Sequence, residues 1–201
     1  MESCKKDIAK WSRWLHIYLS MFSFAALLFF AATGVTLNHT EWIEGRQIVE
    51  QAQGSVSLAW VDSAAATVNE LAIVEHLRNN HAIRARLSGF STEDTECAVS
   101  FKGPGYNADG FVDRSSGLYE LTITKSGMVA VMNDLHKGRD TGSTWSWLID
   151  ISAILMILVS LTGFLMIFFL KKKRLNGSMI ALLGGMVMVL IYYLFVNGLF
   201  V

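Results

Sequence analysis

Residues 134–170 read DLHKGRDTGSTWSWLIDISAILMILVSLTGFLMIFFL, and this stretch decides the fold. It opens on His136 in a charged, glycine-bearing segment and crosses Trp145 and Trp147. From Ile151 to Leu170 it then runs for 20 residues without a charge, with Thr162-Gly163 inside the run. A helix of about 20 apolar residues crosses the hydrocarbon core of a bilayer. An earlier stretch, Trp11 to His39, has the same parts: His16 near one end, a long apolar run, Thr33-Gly34 late in it, and His39 at the exit. Histidines at the ends of membrane helices point to metal or haem ligation.

Working outward, residues 14–40 contain no Asp, Glu, Lys or Arg. A cleaved signal peptide would have an apolar region of about 7–15 residues. This one is much longer and carries Trp14, His16 and Tyr18 at its start, so a retained membrane anchor is expected. A third uncharged run extends from Met179 to Val201, with Gly184-Gly185 suited to close helix packing. The composition agrees: 52% of the 201 residues are hydrophobic, proline occurs once, and the mean hydropathy is +0.39, which is too apolar for an ordinary soluble domain.

Charge sets the expected topology. Lys5, Lys6, Lys10 and Arg13 precede the first run, and Lys171-Lys172-Lys173-Arg174 separates the second from the third. Basic loops stay in the cytoplasm. The expectation is therefore a cytoplasmic N-terminus (1–13), transmembrane helix 1 (14–40), an extracytoplasmic domain (41–143), helix 2 (144–170), a cytoplasmic loop (171–177) and helix 3 (178–201). Trp11, Trp14, Trp42, Trp145 and Trp147 fall at the interfaces, where aromatic belts form. Asp150 reads as an N-terminal charge on helix 2. Residues 41–150 hold 15 acidic and 9 basic residues, a net −6. Without a polybasic surface beyond the membrane-flanking clusters, nucleic acid is not an expected partner. Membrane lipids are. Cys4 and Cys97 would lie on opposite sides of the membrane, which excludes a disulfide within the chain.

The outer domain reads as α+β. Ser63 to Asn80 has helical spacing at Val68, Leu71, Ala72, Val74 and Leu77, with Ser63 as N-cap. Residues 51–61 read as a linker or short strand. Short strands are expected at 82–87, 97–101, 110–113 and 118–123, with turn signals at 103–105, 107–110, 114–117 and 125–127. The fold class is an α+β membrane protein, with three transmembrane helices and a small module inserted between the first two.

The order of parts resembles the PepSY-associated transmembrane family, in its short three-helix form. The residues that carry the resemblance are Leu15-His16, Thr33-Gly34, Asp113-Arg114-Ser115-Ser116-Gly117, Asp134-Leu135-His136-Lys137-Gly138 and Leu161-Thr162-Gly163, spread over nearly the whole chain. The resemblance implies a PepSY-like outer domain. Larger members have more helices, bind b-type haem and pass electrons across the inner membrane, some to ferric siderophores.

Among the five histidines, His39 and His136 would lie on the same, outer side and are the candidate pair for one haem iron. Lys137 and Arg139 are near enough to meet its propionates. Gly34, Gly138, Gly142 and Gly163 could admit a flat macrocycle close to backbone. His16 lies 23 positions before His39, about 35 Å along a straight helix, so those two cannot share an iron. His16 would need Met166, another subunit, or His16 of a second copy related by a twofold axis, with Arg13 one turn away as its propionate partner. The plainer alternatives stand beside these. An interfacial histidine is often an amphipathic residue with a wet tip, Thr-Gly pairs are often packing devices, and His76 and His81 read as solvated.

No P-loop, G-x-G-x-x-G, H-E-x-x-H or G-x-S-x-G occurs, and no catalytic side chain is indicated. Two functions from different classes remain. One is a b-haem membrane redox protein, an oxidoreductase or electron-transfer subunit acting with a homodimer mate or another redox subunit and reducing an outer acceptor such as a ferric chelate. The other is a non-enzymatic, membrane-anchored interaction or regulatory module.

Overall fold

The computed structural model describes residues 2–39, 41, 47–61, 68–170 and 173–196, with the side chains of residues 2–5 excepted. Ser63, Trp42, Lys171 and Lys172, and the side chain of Cys4, lie outside this description. The chain forms two compact units: residues 1–27 with 151–201, and residues 28–150. Each is described by itself.

In element order the chain runs α1 (Glu2–Leu37), β1 (Ile48–Ser55), α2 (Leu58–Val61), α3 (Glu70–His81), β2 (Arg86–Thr92), β3 (Glu96–Gly103), β4 (Tyr106–Asp113), β5 (Leu118–Lys125), α4 (Met128–Lys137), α5 (Ser143–Phe169) and α6 (Arg174–Ile191). A π-helical turn, Tyr192–Val196, continues α6. Segments Lys6–Leu37, Ser143–Phe169 and Arg174–Val196 are each long and apolar enough to span a bilayer. The protein is a membrane protein of α+β type.

The five strands form one antiparallel sheet in the order β1-β5-β4-β3-β2. Strand alternation gives the sheet one apolar face. Cys97, Val99 and Phe101 of β3, Ala108 and Val112 of β4, and Tyr119, Leu121 and Ile123 of β5 are buried on it. Ile73, Val74 and Leu77 of α3 complete the core. The Asn69 side chain accepts from the N–H of Ala72 to cap this helix, and Ala82, in the left-handed region at φ 51°, ends it. The opposite sheet face is polar, with Ser100, Asn107, Asp109, Glu120, Thr122 and Thr124 along it.

Several expectations need correction here. The helix starts at Glu70, because Asn69 supplies the cap. Residues 82–85 are not strand: Ala82 closes α3, and β2 begins at Arg86. Residues 107–110, turn-like in composition, lie inside β4. There Gly110 faces the core, where an added Cβ would lie 3.4 Å from Leu121 Cδ1 and 3.6 Å from Leu77 Cδ1. A strand occupies Ile48–Ser55, earlier than the 51–61 reading. Helix α4 was not among the expected elements, although Met128, Val131, Met132 and Leu135 stand at helical spacing along it. Asp150 lies in the third turn of α5, beyond the reach of the N-terminal dipole.

Candidate functional site: two histidine–threonine contacts in the membrane helices

The buried residues of the apolar helices are all hydroxyl-bearing: Ser23 and Thr33 on α1, Ser152 and Thr162 on α5, and none among the described residues of α6. Small residues let membrane helices approach, where hydrocarbon gives no hydrophobic drive. The hydroxyls of Ser23, Thr33 and Thr162 are partnered within their own helices. Ser23 Oγ donates to the Leu19 carbonyl at 2.8 Å, Thr33 Oγ1 to Phe29 at 2.6 Å, and Thr162 Oγ1 to Leu158 at 2.8 Å.

Each threonine also holds a histidine. His136, near the end of α4, places Nδ1 2.6 Å from Thr33 Oγ1. Its ring meets that of Phe30 edge-on at 5.1 Å. One turn earlier on α4, Asn133 accepts from Thr36 Oγ1 at 2.6 Å and is 4% exposed. Asn133 and His136 are therefore matched to Thr36 and Thr33, three residues apart on each helix, in opposite chain directions. Trp145 Nε1 donates to the Leu135 carbonyl at 2.8 Å, tying the first turn of α5 to α4. This gives Trp145 a structural bond in addition to the expected interfacial role, whereas Trp147, at 69% exposed, has the profile of a belt residue.

In the other unit His16 Nδ1 lies 3.0 Å from Thr162 Oγ1 and 3.1 Å from the Val159 carbonyl. Gly163 makes room for the ring: a Cβ there would lie 3.1 Å from His16 Cε1. At Gly34 the corresponding distance to His136 Cε1 is 3.9 Å. Both glycines thus face an imidazole, which is the surface the sequence reading offered to a macrocycle. Gly138 and Gly142 serve the backbone, at φ 68° and 84° in the α4–α5 turn.

The bonds define a tautomer. A carbonyl can only accept, so His16 Nδ1 carries the hydrogen it gives to Val159. The Thr33 proton is committed to Phe29, so Thr33 Oγ1 accepts from His136 Nδ1–H. In the neutral form of each ring Nε2 is then assigned as the lone-pair nitrogen. Among the described residues neither Nε2 has a hydrogen-bond partner. An imidazole anchored through Nδ1–H with Nε2 free is the form that ligates a metal.

The other expected site residues are placed differently. His39 follows the last turn of α1, and its Nδ1 bonds Glu41 Oε1 at 2.9 Å. A hydrogen bond from its own backbone N–H, and then the one from His39, hold the Glu41 carboxyl below its usual range. His39 is thus bonded through Nδ1 to Glu41, and His136 through Nδ1 to Thr33. Arg13, Lys137 and Arg139 are exposed, and none makes an ion pair among the described residues. No cluster of three or more His, Cys, Asp or Glu side chains suited to a metal occurs among the described residues.

His76 and His81, read as solvated, are half-buried instead. His81 Nε2 bonds the Tyr119 hydroxyl at 2.9 Å, and His76 packs edge-on to Trp60 at 5.6 Å. Burial, and then the neighbouring His76, holds the His81 imidazole below its ordinary value. Cys97 is a free, buried thiol, pushed up chiefly by burial. Sequence reasoning missed Thr33, Thr162, Asn133 and Thr36 as partners. The available signal was the equal spacing of Asn133/His136 and Thr33/Thr36.

Three apolar helices, an α+β domain between the first two, and histidines held against Thr-Gly steps define a class of multi-helix membrane protein with an inserted domain. The sequence profile of the PepSY_TM-like family matches residues 10–197, and the chain belongs to that family. No curated protein and no solved structure matches it.

Proposed function

We propose that the chain is a b-type haem redox protein of a bacterial inner membrane, with its α+β domain on the periplasmic side, passing electrons to an acceptor there such as a ferric chelate. The observation that carries this reading is the tautomer of His136 and His16, each anchored at Nδ1 with Nε2 free. His136 and His16 would each hold a haem iron through Nε2, the donor type that such an iron takes. Haem, when bound, supplies a one-electron couple that no side chain here has.

The chain's own residues do the rest. Thr33 and Thr162 orient the two rings. Arg13 near His16, and Lys137 and Arg139 near His136, are unpaired cations available to propionates. His39 would hold the outer haem beside His136 if it left Glu41, and a twofold mate of this chain would supply a further ligand to the haem held by His16. The basic residues before α1 and between α5 and α6 support a cytoplasmic N-terminus.

The test is a spectrum. Full-length protein purified in detergent from haem-replete cells should show a Soret band that shifts on reduction. His136→Ala and His16→Ala should each remove part of it, and His39→Ala should separate a His39 ligand from one supplied by a second copy. Colourless wild-type protein would overturn the reading and leave a membrane-anchored interaction module.

A further inference from the structure

A polar cavity of about 320 Å³ lies where the β3–β4 turn meets α4 and the turn before α5. Lys102, Tyr106, Asn107, Asp134, Arg139 and Asp140 line it. It holds charges of both signs that do not neutralise one another. Among the described residues the ion pairs are His39–Glu41, Arg78–Glu75 and Lys125–Glu50, and none involves a cavity residue. Asp134 takes only the N–H of Gly105, at 2.9 Å, leaving acceptor capacity on its carboxylate. Asp140 is held at φ 57°, a left-handed conformation uncommon outside glycine.

One atom there is unsatisfied. Asn107 Oδ1 is buried and has no hydrogen-bond partner. The amide orientation is fixed, because Nδ2 donates to Asp109 Oδ2 at 2.5 Å and a flipped amide would set oxygen against carboxylate. A buried acceptor left unpaired costs about 1–3 kcal/mol. Lys102 is the cross-strand partner of Asn107 but makes no bond to it. Asn107 Oδ1 is itself closed to solvent, so the acceptors that the cavity offers to N–H donors are the Asp134 and Asp140 carboxylates. It also offers two cations, Lys102 and Arg139, that call for an anion.

We propose that this cavity binds a zwitterion that pairs a primary ammonium with a phosphate, the chemistry of a phosphatidylethanolamine headgroup. Arg139 and Asp140 stand just before Ser143, the first residue of an apolar span, so the cavity's own chain enters the bilayer within one turn. That is headgroup level. A primary ammonium brings three N–H donors to the two carboxylates, and the phosphate meets Lys102 and Arg139. A choline headgroup has no N–H to give, and a glycerol headgroup has no cation. Neither matches both halves of the site.

The experiment is native mass spectrometry of the full-length chain in detergent, after incubation with equimolar phosphatidylethanolamine, phosphatidylcholine and phosphatidylglycerol. Wild-type protein should retain phosphatidylethanolamine about tenfold over either competitor, the ratio that 1.4 kcal/mol corresponds to. Asp140→Asn, which suits the left-handed conformation and removes only charge, should lower that retention about tenfold. Lys102→Gln should do the same through the phosphate.

A parallel arm adds soluble glycerophosphoethanolamine. Displacement of retained lipid by it supports the headgroup chemistry and extends the ligand to soluble sources. Retention of the lipid against it, with the Asp140→Asn loss intact, supports the membrane source. Equal retention of all three lipids by the wild type would overturn the proposal, as would wild-type retention in both variants, each verified as folded by circular dichroism. The readout is mass and not colour, so it stands or falls apart from the haem reading.

Discussion

His136 Nδ1 and Thr33 Oγ1 lie 2.6 Å apart, in a hydrogen bond between α4 and α1 that spans 103 residues of sequence. With Asn133 on Thr36 it makes a two-rung contact, so α4 meets the end of α1 in one register only. The acceptor is 1% exposed, and water cannot replace it.

Thr33→Val should therefore destabilise the protein by about 1 kcal/mol, the usual net value of such a bond. Thr33→Ser should restore most of it. Thr162→Val should cost less, because His16 Nδ1 keeps the Val159 carbonyl at 3.1 Å. Thermal unfolding in detergent reads both, and equal losses would contradict the tautomer given to His16.

The two helix glycines should separate in the same assay. A methyl at Gly163 would press on His16 Cε1 at 3.1 Å, whereas at Gly34 the nearest ring atom is 3.9 Å away. Gly163→Ala is expected to cost about 1–3 kcal/mol, in the range of overpacking, and Gly34→Ala to be nearly neutral. Reversal of that order would show that the rings do not sit where they are described.

In the domain, Gly54 on β1 lies opposite Tyr119 on β5, and an added Cβ would strike the Tyr119 hydroxyl. Gly54→Ala must push that ring off His81, breaking the 2.9 Å bond. A loss of about 1–3 kcal/mol is expected, visible as a lower unfolding temperature. Tyr119→Phe should lose only the hydrogen bond and so show the smaller effect.

Asp113 makes a pH prediction. The Ser115 hydroxyl, then the Ser116 backbone N–H and hydroxyl, hold its carboxyl down at about 2. A carboxyl depressed in the folded state stabilises above its unfolded value of about 3.9, and that contribution is lost as pH falls towards 2. Asp113→Asn should flatten the acid-unfolding curve between about pH 4 and pH 2. Identical curves for variant and wild type would exclude the turn as a source of acid sensitivity.

Much of this was legible in the sequence because it depends on pattern. The three apolar runs are long and uncharged, and the alternation at 97–101 and 118–123 has period two, so those elements were expected where they occur. Residues 107–110 misled because Asn, Asp and Gly have local turn preferences. Packing overrode them: Ala108 and Gly110 give α3 the room it needs against the sheet. The histidines stood out by type, and the resemblance supplied the family. Their partners did not stand out, because threonine in an apolar helix looks like any small residue until a second helix is laid on it. Helix α4, which carries His136, was overlooked although Met128, Val131, Met132 and Leu135 keep helical spacing, because it is short and follows a glycine turn.

Strand β1 pairs along its whole length with β5, from Ile48 opposite Lys125 to Ser55 opposite Leu118. During synthesis the sheet's first strand must therefore wait, unpaired along that edge, until the last has emerged. By then α1 has been made in full and α5 is still within the ribosome. The domain can close before its second anchor exists, and a ribosome paused beyond Lys125 would carry a sheet already complete on a single tether.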